Sequence, residues 1–518
     1  ALLSGGGTLM LRRLVLGLTL AATVSTFAAP PPAQAQSAPA SPTASPRPIP
    51  RTPDAVTHHT ISLGGKTIGY TARAGTLLLR DGDERPTASV FYVAYTADNA
   101  TPRKRPVTFF WNGGPGSSTI WLHMGSFGPV RVAVPSNGAQ PGPNVPLVEN
   151  ESSLLDTSDL VFVDAVGTGW SVPVGRATGS DFWGIDEDAK AFDQFVRRWV
   201  TKSGRWESPK YLFGESYGTT RAANVVNLLQ QDGMAINGVV LLSSALSYNI
   251  LPIGQGPGED LAYIGYLPTE AAVAWFHRKL PSRPPNLDRF LAEVRAFAGG
   301  PYAAALRRGD TLDAGTRAQI VAKLHAYTGL DASYIEASNL RIGPSRFENQ
   351  LLRSQGLIVG RLDARYTAAE TDKNAAFPSF DPSDTMSAAA YVATFNHYLH
   401  DVLHYTEQRP YDVLDYNVNR NWKYQRGEDS NAPTVVADLK TAIAQNPSLH
   451  ILSANGYYDL ATGFYATEYL LNHMGLTPAQ QRQITYSYYE SGHQVYMNHA
   501  SLVQFKRDLT GFYRDSAR

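Results

Sequence analysis

Gly214-Glu-Ser-Tyr-Gly218 fits the pattern G-x-S-x-G, in which a serine hydroxyl rides on a sharp turn between a strand and a helix. The flanking residues supply that setting. Tyr211-Leu-Phe213 is a short apolar run ending at Gly214, and Ala222, Val225, Val226 and Leu229 recur at helical spacing after it. The glycines permit a turn in which a Cβ would clash, and the turn lifts the Ser216 hydroxyl above the sheet. A serine hydroxyl is a weak nucleophile until a base accepts its proton. In this setting the partners follow in the chain order Ser, acid, His, on loops after late strands. Asp459 follows the apolar run His450-Ile-Leu452, and His493 lies in Glu490-Ser-Gly-His493, just past a strand expected over Ile484 to Tyr489. By position alone, Asp459 also reads as a cap for a helix beginning near Ala461, and His493 as a buried, hydrogen-bonded histidine. Chain order favours the triad Ser216, Asp459, His493.

A second signal, Asn112-Gly-Gly-Pro-Gly-Ser-Ser118, comes directly after the apolar run Val107-Thr-Phe-Phe-Trp111. It fails as a phosphate loop, because no Lys follows and the spacing fits neither nucleotide fingerprint. In serine hydrolases of the α/β-hydrolase fold, the loop after this early strand supplies one oxyanion-hole amide, and the residue after the nucleophile supplies the other. The candidates are the N–H groups of Gly114 and Tyr217, each such donor being worth about 3 kcal/mol to the transition state. The chemistry indicated is acyl transfer through a covalent intermediate, which needs no cofactor. The 12 His include no H-E-x-x-H pair and no tight cluster with carboxylates, so no metal is expected. The absence of cysteine removes thiol catalysis, thiolate zinc sites and disulfides.

These residues need a sheet to carry them. Short apolar runs over Val107–Trp111, 160–163, 211–213 and 238–242 alternate with amphipathic helical patterns, which implies a mostly parallel central sheet covered on both faces. Antiparallel strands are expected before it, between about Thr60 and Tyr95. Residues 57–246 read as the first part of an α/β-hydrolase core, 247–445 as a large, mostly helical cap insertion, and 446–518 as the second part of the core. Residues 1–35 combine a small basic region at Met10-Leu-Arg-Arg13, an apolar run from Leu14 to Val24 and the A-x-A site Ala33-Gln-Ala35, so they read as a signal peptide with upstream residues. Residues 36–56 read as a Pro/Ala/Ser-rich flexible linker. The expected location is exported, periplasmic or secreted, with no membrane association of the mature form. Lys+Arg and Asp+Glu both number 45, and no basic stripe is present, so nucleic acid is not an expected partner. Nothing in the sequence specifies an oligomeric state.

Trp111-Asn-Gly-Gly-Pro-Gly-Ser-Ser118, Val163-Asp-Ala-Val-Gly-Thr-Gly-Trp-Ser171, Gly214-Glu-Ser-Tyr-Gly218, Asp459 and Gly492-His493 together resemble the serine carboxypeptidase family, peptidase family S10, in order and approximate spacing. The resemblance runs from about Thr60 to the end, with the cap matching only in size and helical character. It implies the triad and oxyanion hole named above. It also implies that Asn112, Gly113 and Glu215 bind the free C-terminal carboxylate of a peptide substrate. Glu215 can bond to that carboxylate only if the two acids share one proton, which predicts an upward-shifted Glu215 and activity favoured at acidic pH. The chain departs from the family in three places. Ser126 stands where the family places a second Glu, two residues before Gly128-Pro129; Gln494 follows the histidine where a hydrophobic residue is usual; and the family's disulfides are absent. The expected function is a serine-type carboxypeptidase releasing C-terminal residues from peptides. The alternative is a serine esterase or acyltransferase on the same machinery, which Ser126 suits somewhat better. A catalytically inactive binding protein is opposed by a competent residue at every triad and oxyanion position.

Overall fold

Runs such as Phe109-Phe-Trp111 and Val239-Val-Leu-Leu242 are apolar at every position, and only a strand buried on both faces satisfies them. The computed structural model, which describes residues 45–517 apart from residue 137 and residues 140–144, 253–255, 257 and 428–432, places them at the centre of a ten-stranded sheet. The signal-peptide reading of residues 1–35 and most of the linker reading lie outside the described residues.

The sheet's strands are β1 (Ala55–Leu63), β2 (Lys66–Arg80), β3 (Pro86–Ala97), β4 (Val107–Trp111), β5 (Asp159–Val163), β6 (Val172–Pro173), β7 (Lys210–Glu215), β8 (Gly238–Leu242), β9 (His450–Gly456) and β10 (Ile484–Tyr489). Their spatial order is β1-β2-β3-β5-β4-β7-β8-β9-β10, with β6 paired to β3. The first three strands form an antiparallel meander that joins β5 antiparallel, and from β5 to β10 every pairing is parallel. This is the mostly parallel sheet of an α/β-hydrolase fold, and all the parallel strands end on one edge.

Alternate side chains feed two cores. Phe109, Trp111, Leu212, Leu241 and Ile451 face helices α1 (Ile185–Lys202) and α2 (Tyr217–Gln231). Phe110, Phe213, Val240 and Leu452 face the C-terminal helix, His499–Ser516. The Phe110 ring lies 4.6 Å from Phe162 and 4.9 Å from Phe213, both near parallel, which ties three adjacent strands together on that face.

The insertion after β8 carries α3 (Leu261–Phe276) and α4 (Pro382–His397) among several shorter helices. It also holds an antiparallel ribbon, Leu357–Val359 against Thr367–Ala369, where the sequence shows little strand character. Its apolar core, including Leu267, Phe290, Leu324 and Phe347, closes onto Tyr457, Tyr458 and Phe464 beside β9. At its end, α5 (Val436–Gln445) packs on α2, with Gln230 Nε2 donating to Ala442 O at 3.0 Å. Then come α6 (Phe464–Asn472) and α7 (His499–Ser516).

The described part of the Pro/Ala/Ser-rich stretch is not a free tether. Arg47 and Gly175 exchange backbone hydrogen bonds of 2.7 and 2.9 Å next to β6, and Thr52 Oγ1 donates to Glu407 Oε2. Short segments with unpaired backbone beside an edge strand gain partners this way. Among the described residues, no helix is long and apolar enough to cross a membrane.

Phe110→Ala is expected to destabilise the protein by about 3–5 kcal/mol, read as a lowered midpoint in urea unfolding with little change in slope.

Candidate active site

β7 ends at Glu215, α2 starts at Tyr217, and Ser216 makes the whole turn between them with φ 60° and ψ −130°. That backbone region is costly for a residue with a side chain. It is held by main-chain bonds on both sides. The Ser216 N–H donates to Leu242 O of β8 at 3.0 Å, and Ser216 O accepts from Thr219 N at 2.8 Å and Thr219 Oγ1 at 2.7 Å. The turn is tight enough that a Cβ at Gly214 would overlap Gly218 O, and one at Gly218 would sit 2.7 Å from Trp111 O. The two glycines of the motif are therefore required by close approach.

β9 runs to Gly456, farther than its apolar run suggests, so Asp459 lies just beyond the strand end. Gly456 pairs with Tyr489 of β10, and the Asp459 and His493 loops leave the sheet side by side. His493 Nδ1 is 2.8 Å from Asp459 Oδ2. Asp459 Oδ1 accepts from the N–H groups of Ala461 and Thr462 at 2.8 and 2.9 Å, and Oδ2 also accepts from Thr462 Oγ1 at 2.6 Å. Asp459 thus ties the turn ahead of α6 and orients the imidazole at the same time. With Nδ1–H donated to the carboxylate, His493 Nε2 is left as an acceptor. Burial, the largest single influence, pulls the His493 pKa down, but the charge and hydrogen bond of Asp459 together with the charge of Glu215 outweigh it and the net shift is upward.

The insertion holds both loops through main-chain groups. His493 N donates to Leu362 O at 2.6 Å, Leu460 N to Arg361 O at 3.1 Å, and Ala364 N to Tyr458 O at 3.0 Å. The buried Arg365 pairs with Asp363 and donates to Ser491 Oγ at 3.2 Å. From the core side, Ser243 Oγ donates to His493 O at 2.6 Å. Another insertion segment holds the glycine loop: Ser118 N donates to Val413 O, Asp415 N to Gly116 O and Asn419 Nδ2 to Pro115 O, all at 2.8–3.0 Å. The block from Val163 to Ser171 is a bracket between these parts. Asp164 accepts from Thr119 N and the Tyr411 hydroxyl, and burial pushes its carboxyl up to about 7.

Gly113 lies directly against the Ser216 turn. A side chain there would overlap Tyr217 N and come within 2.8 Å of Glu215 O and 2.9 Å of Ser216 Cβ. Gly114 follows with φ 104°. Tyr217 is the first residue of α2, where helix N–H groups lack intrahelical acceptors. Asn112 Nδ2 donates to Glu215 Oε1 at 2.8 Å, and Asn112 Oδ1 accepts from Leu122 N at 2.9 Å. Burial pushes the Glu215 carboxyl up to about 7, against the opposing pull of the His493 charge, so the two halves of the site sense each other. Asn112, Gly113, Glu215, Ser216 and Tyr217 are brought together, and Asp459 pairs with His493. Ser126 is fully buried, with its hydroxyl donated to Leu122 O at 2.5 Å.

Sequence reasoning missed several supporting residues. Arg221 is 1% exposed, pairs with Asp188 at 2.7 Å and donates to Asn112 O at 2.7 Å, fixing the start of the glycine loop to α1 and α2. Its signal was a charge among the apolar residues of α2. Thr462 had a weaker one, three residues after Asp459. Leu362 acts through its carbonyl and left none.

Residues 68–242 match the family model described as serine carboxypeptidase. Serine carboxypeptidase-like 44 of Arabidopsis thaliana is 34% identical over 140 residues, which are 26% of this chain and 27% of that protein. Serine carboxypeptidase-like 26 of Oryza sativa subsp. japonica is 30% identical over 155 residues, 29% of this chain and 30% of that protein. The aligned part thus spans less than a third of either plant protein's length. The crystal structure of Kex1(delta)p, a prohormone-processing carboxypeptidase from Saccharomyces cerevisiae, superposes with a TM-score of 0.52 at 16% identity, covering 86% of this chain and 91% of that one, which shows a shared fold.

Arg221→Met leaves the Asp188 carboxylate buried without its partner. It should lower stability by about 3–5 kcal/mol in urea unfolding, and should reduce turnover of any substrate because Asn112 loses its anchor.

Proposed function

We propose, on the premise that this chain belongs to the serine carboxypeptidase family, that it releases C-terminal residues from peptides through an acyl-enzyme on Ser216. The observation that carries this reading is the buried Glu215, bonded to Asn112 and immediately next to the nucleophile turn. A plain esterase has no need of a buried acid there.

In this reading His493 Nε2 takes the Ser216 proton as Oγ attacks the scissile carbonyl, and Asp459 stabilises the imidazolium that forms. The N–H groups of Gly114 and Tyr217 receive the oxyanion. The tetrahedral intermediate collapses with His493 returning the proton to the leaving amine, and water then hydrolyses the ester at Ser216. Asn112 and the Gly113 N–H donate to the substrate's terminal carboxylate, and protonated Glu215 donates to it as well. The N-terminal basic and apolar pattern followed by Ala33-Gln-Ala35 supports export as the setting, with peptides outside the cytoplasm as substrates. The esterase or acyltransferase reading is favoured by Ser126, which leaves the site one acid short.

The test uses peptides supplied as free acids and as C-terminal amides, with Ser216→Ala as the control and mass spectrometry to follow products. Stepwise loss of C-terminal residues from free acids, and not from amides, is the expected result. Equal cleavage of both, or hydrolysis of simple esters alone, would overturn it.

The pH dependence separates the two titrating groups. His493 must be neutral to act as a base, so kcat/KM should rise with pH through a transition above the ordinary histidine value. Glu215 must be protonated to donate, so binding of a free-acid peptide should weaken as pH passes about 7. Free-acid peptides should give a bell-shaped kcat/KM profile, and a simple ester should lose only the alkaline limb.

A further inference from the structure

Resting on the carboxypeptidase reading above, we infer that the Tyr496 hydroxyl takes the place of the absent second acid and donates a hydrogen bond to the substrate's terminal carboxylate, beside Asn112 and Glu215.

Tyr496 stands in the short turn Val495–Met497, immediately after the His493 loop. It is 3% exposed, and its hydroxyl has no hydrogen-bond partner. Glu215 Oε2 is likewise buried without a partner. The two groups are neighbours, and the Tyr496 hydroxyl borders the Asn112 amide too. Buried polar atoms left unpaired are uncommon, and two of them converging beside a nucleophile mark a place that a polar ligand completes. A carboxylate is the fitting ligand, since Asn112 and Tyr496 are donors and Glu215 is a donor when protonated.

The surroundings single out Tyr496. Ser126, at the family's Glu position, has its hydroxyl donated to Leu122 O. The adjacent Gly125 makes room for the ring: a Cβ there would fall 2.6 Å from Tyr496 Cε2 and 2.5 Å from the Tyr391 hydroxyl. Tyr391, on α4, is the other phenol near Glu215, but its hydroxyl donates to Met497 Sδ at 3.1 Å. The charges of His493 and Asp459 also reach Glu215. Burial raises the Tyr496 phenol well above its ordinary value, so it stays a neutral donor throughout the working range. The site then has one titrating acid in place of two.

The test compares wild type, Tyr496→Phe and Tyr391→Phe on an N-blocked dipeptide acid, its amide and an N-acyl amino-acid ethyl ester. Tyr496→Phe should raise KM for the free acid about tenfold and cut the acid-over-amide preference by about the same factor, with kcat/KM for the ester within about twofold of wild type. Tyr391→Phe should keep the wild-type preference. An unchanged preference in Tyr496→Phe, a parallel fall of ester and peptide turnover, or loss of preference in Tyr391→Phe instead would each overturn the assignment. A wild type that cleaves acid and amide alike would fail at the earlier step, refuting the carboxypeptidase reading and this inference with it.

Discussion

Ser216 sits at φ 60° and ψ −130°, a conformation that costs a residue with a side chain about 1–3 kcal/mol and persists only where the surroundings over-determine it. Much of the structure can be read as that over-determination. β7 lies between β4 and β8, so the strand end cannot shift sideways. Leu242 O and Thr219 bond the serine backbone from the sheet side and the helix side. Trp111 and Gly113 press against the turn from β4, leaving no volume for a Cβ at Gly113, Gly214 or Gly218. The stacked Phe162, Phe110 and Phe213 lock β5, β4 and β7 together one layer below.

The insertion contributes more than a roof. Its 361–364 segment bonds to the backbones of Tyr458, Leu460 and His493, and its 413–419 segment bonds to the glycine loop. Neither the Asp459 and His493 loops nor the glycine loop at 112–118 is fixed by the sheet alone. The sheet delivers the strand ends to one edge, and the insertion sets the loops beyond them. The buried Arg221–Asp188 pair performs the same task beneath Asn112, and its desolvation is offset by the bidentate contact and by the Asn112 carbonyl.

The central parallel strands were legible in the sequence because burial on both faces leaves continuous apolar runs, and β8 begins and ends where its run does. The turn at Ser216 was legible because only glycine tolerates its close contacts, so sterics had already written the pattern. Asp459 and His493 were placed by chain order at strand ends. The extent of β9 was not: Ser453 to Gly456 are polar or small, yet buried and paired with β10. The ribbon at 357–369 was missed because two three-residue strands are too short for alternation to register. The clamp at Leu362 was out of reach, since a backbone carbonyl makes the contact and any residue would supply it. Ser126 was visible as a departure, but that Tyr496 lies beside Glu215 depends on how the turn after His493 folds back over Gly125.

The central claim is that the strand ends and their loops make Ser216 a nucleophile activated by His493. Its most direct test is labelling with a fluorophosphonate followed by peptide mapping. The account predicts one adduct per chain, on the peptide containing Ser216, with labelling slowed by several orders of magnitude in His493→Ala while the unlabelled variant remains folded. No adduct, an adduct on another serine, or labelling indifferent to His493 would contradict it.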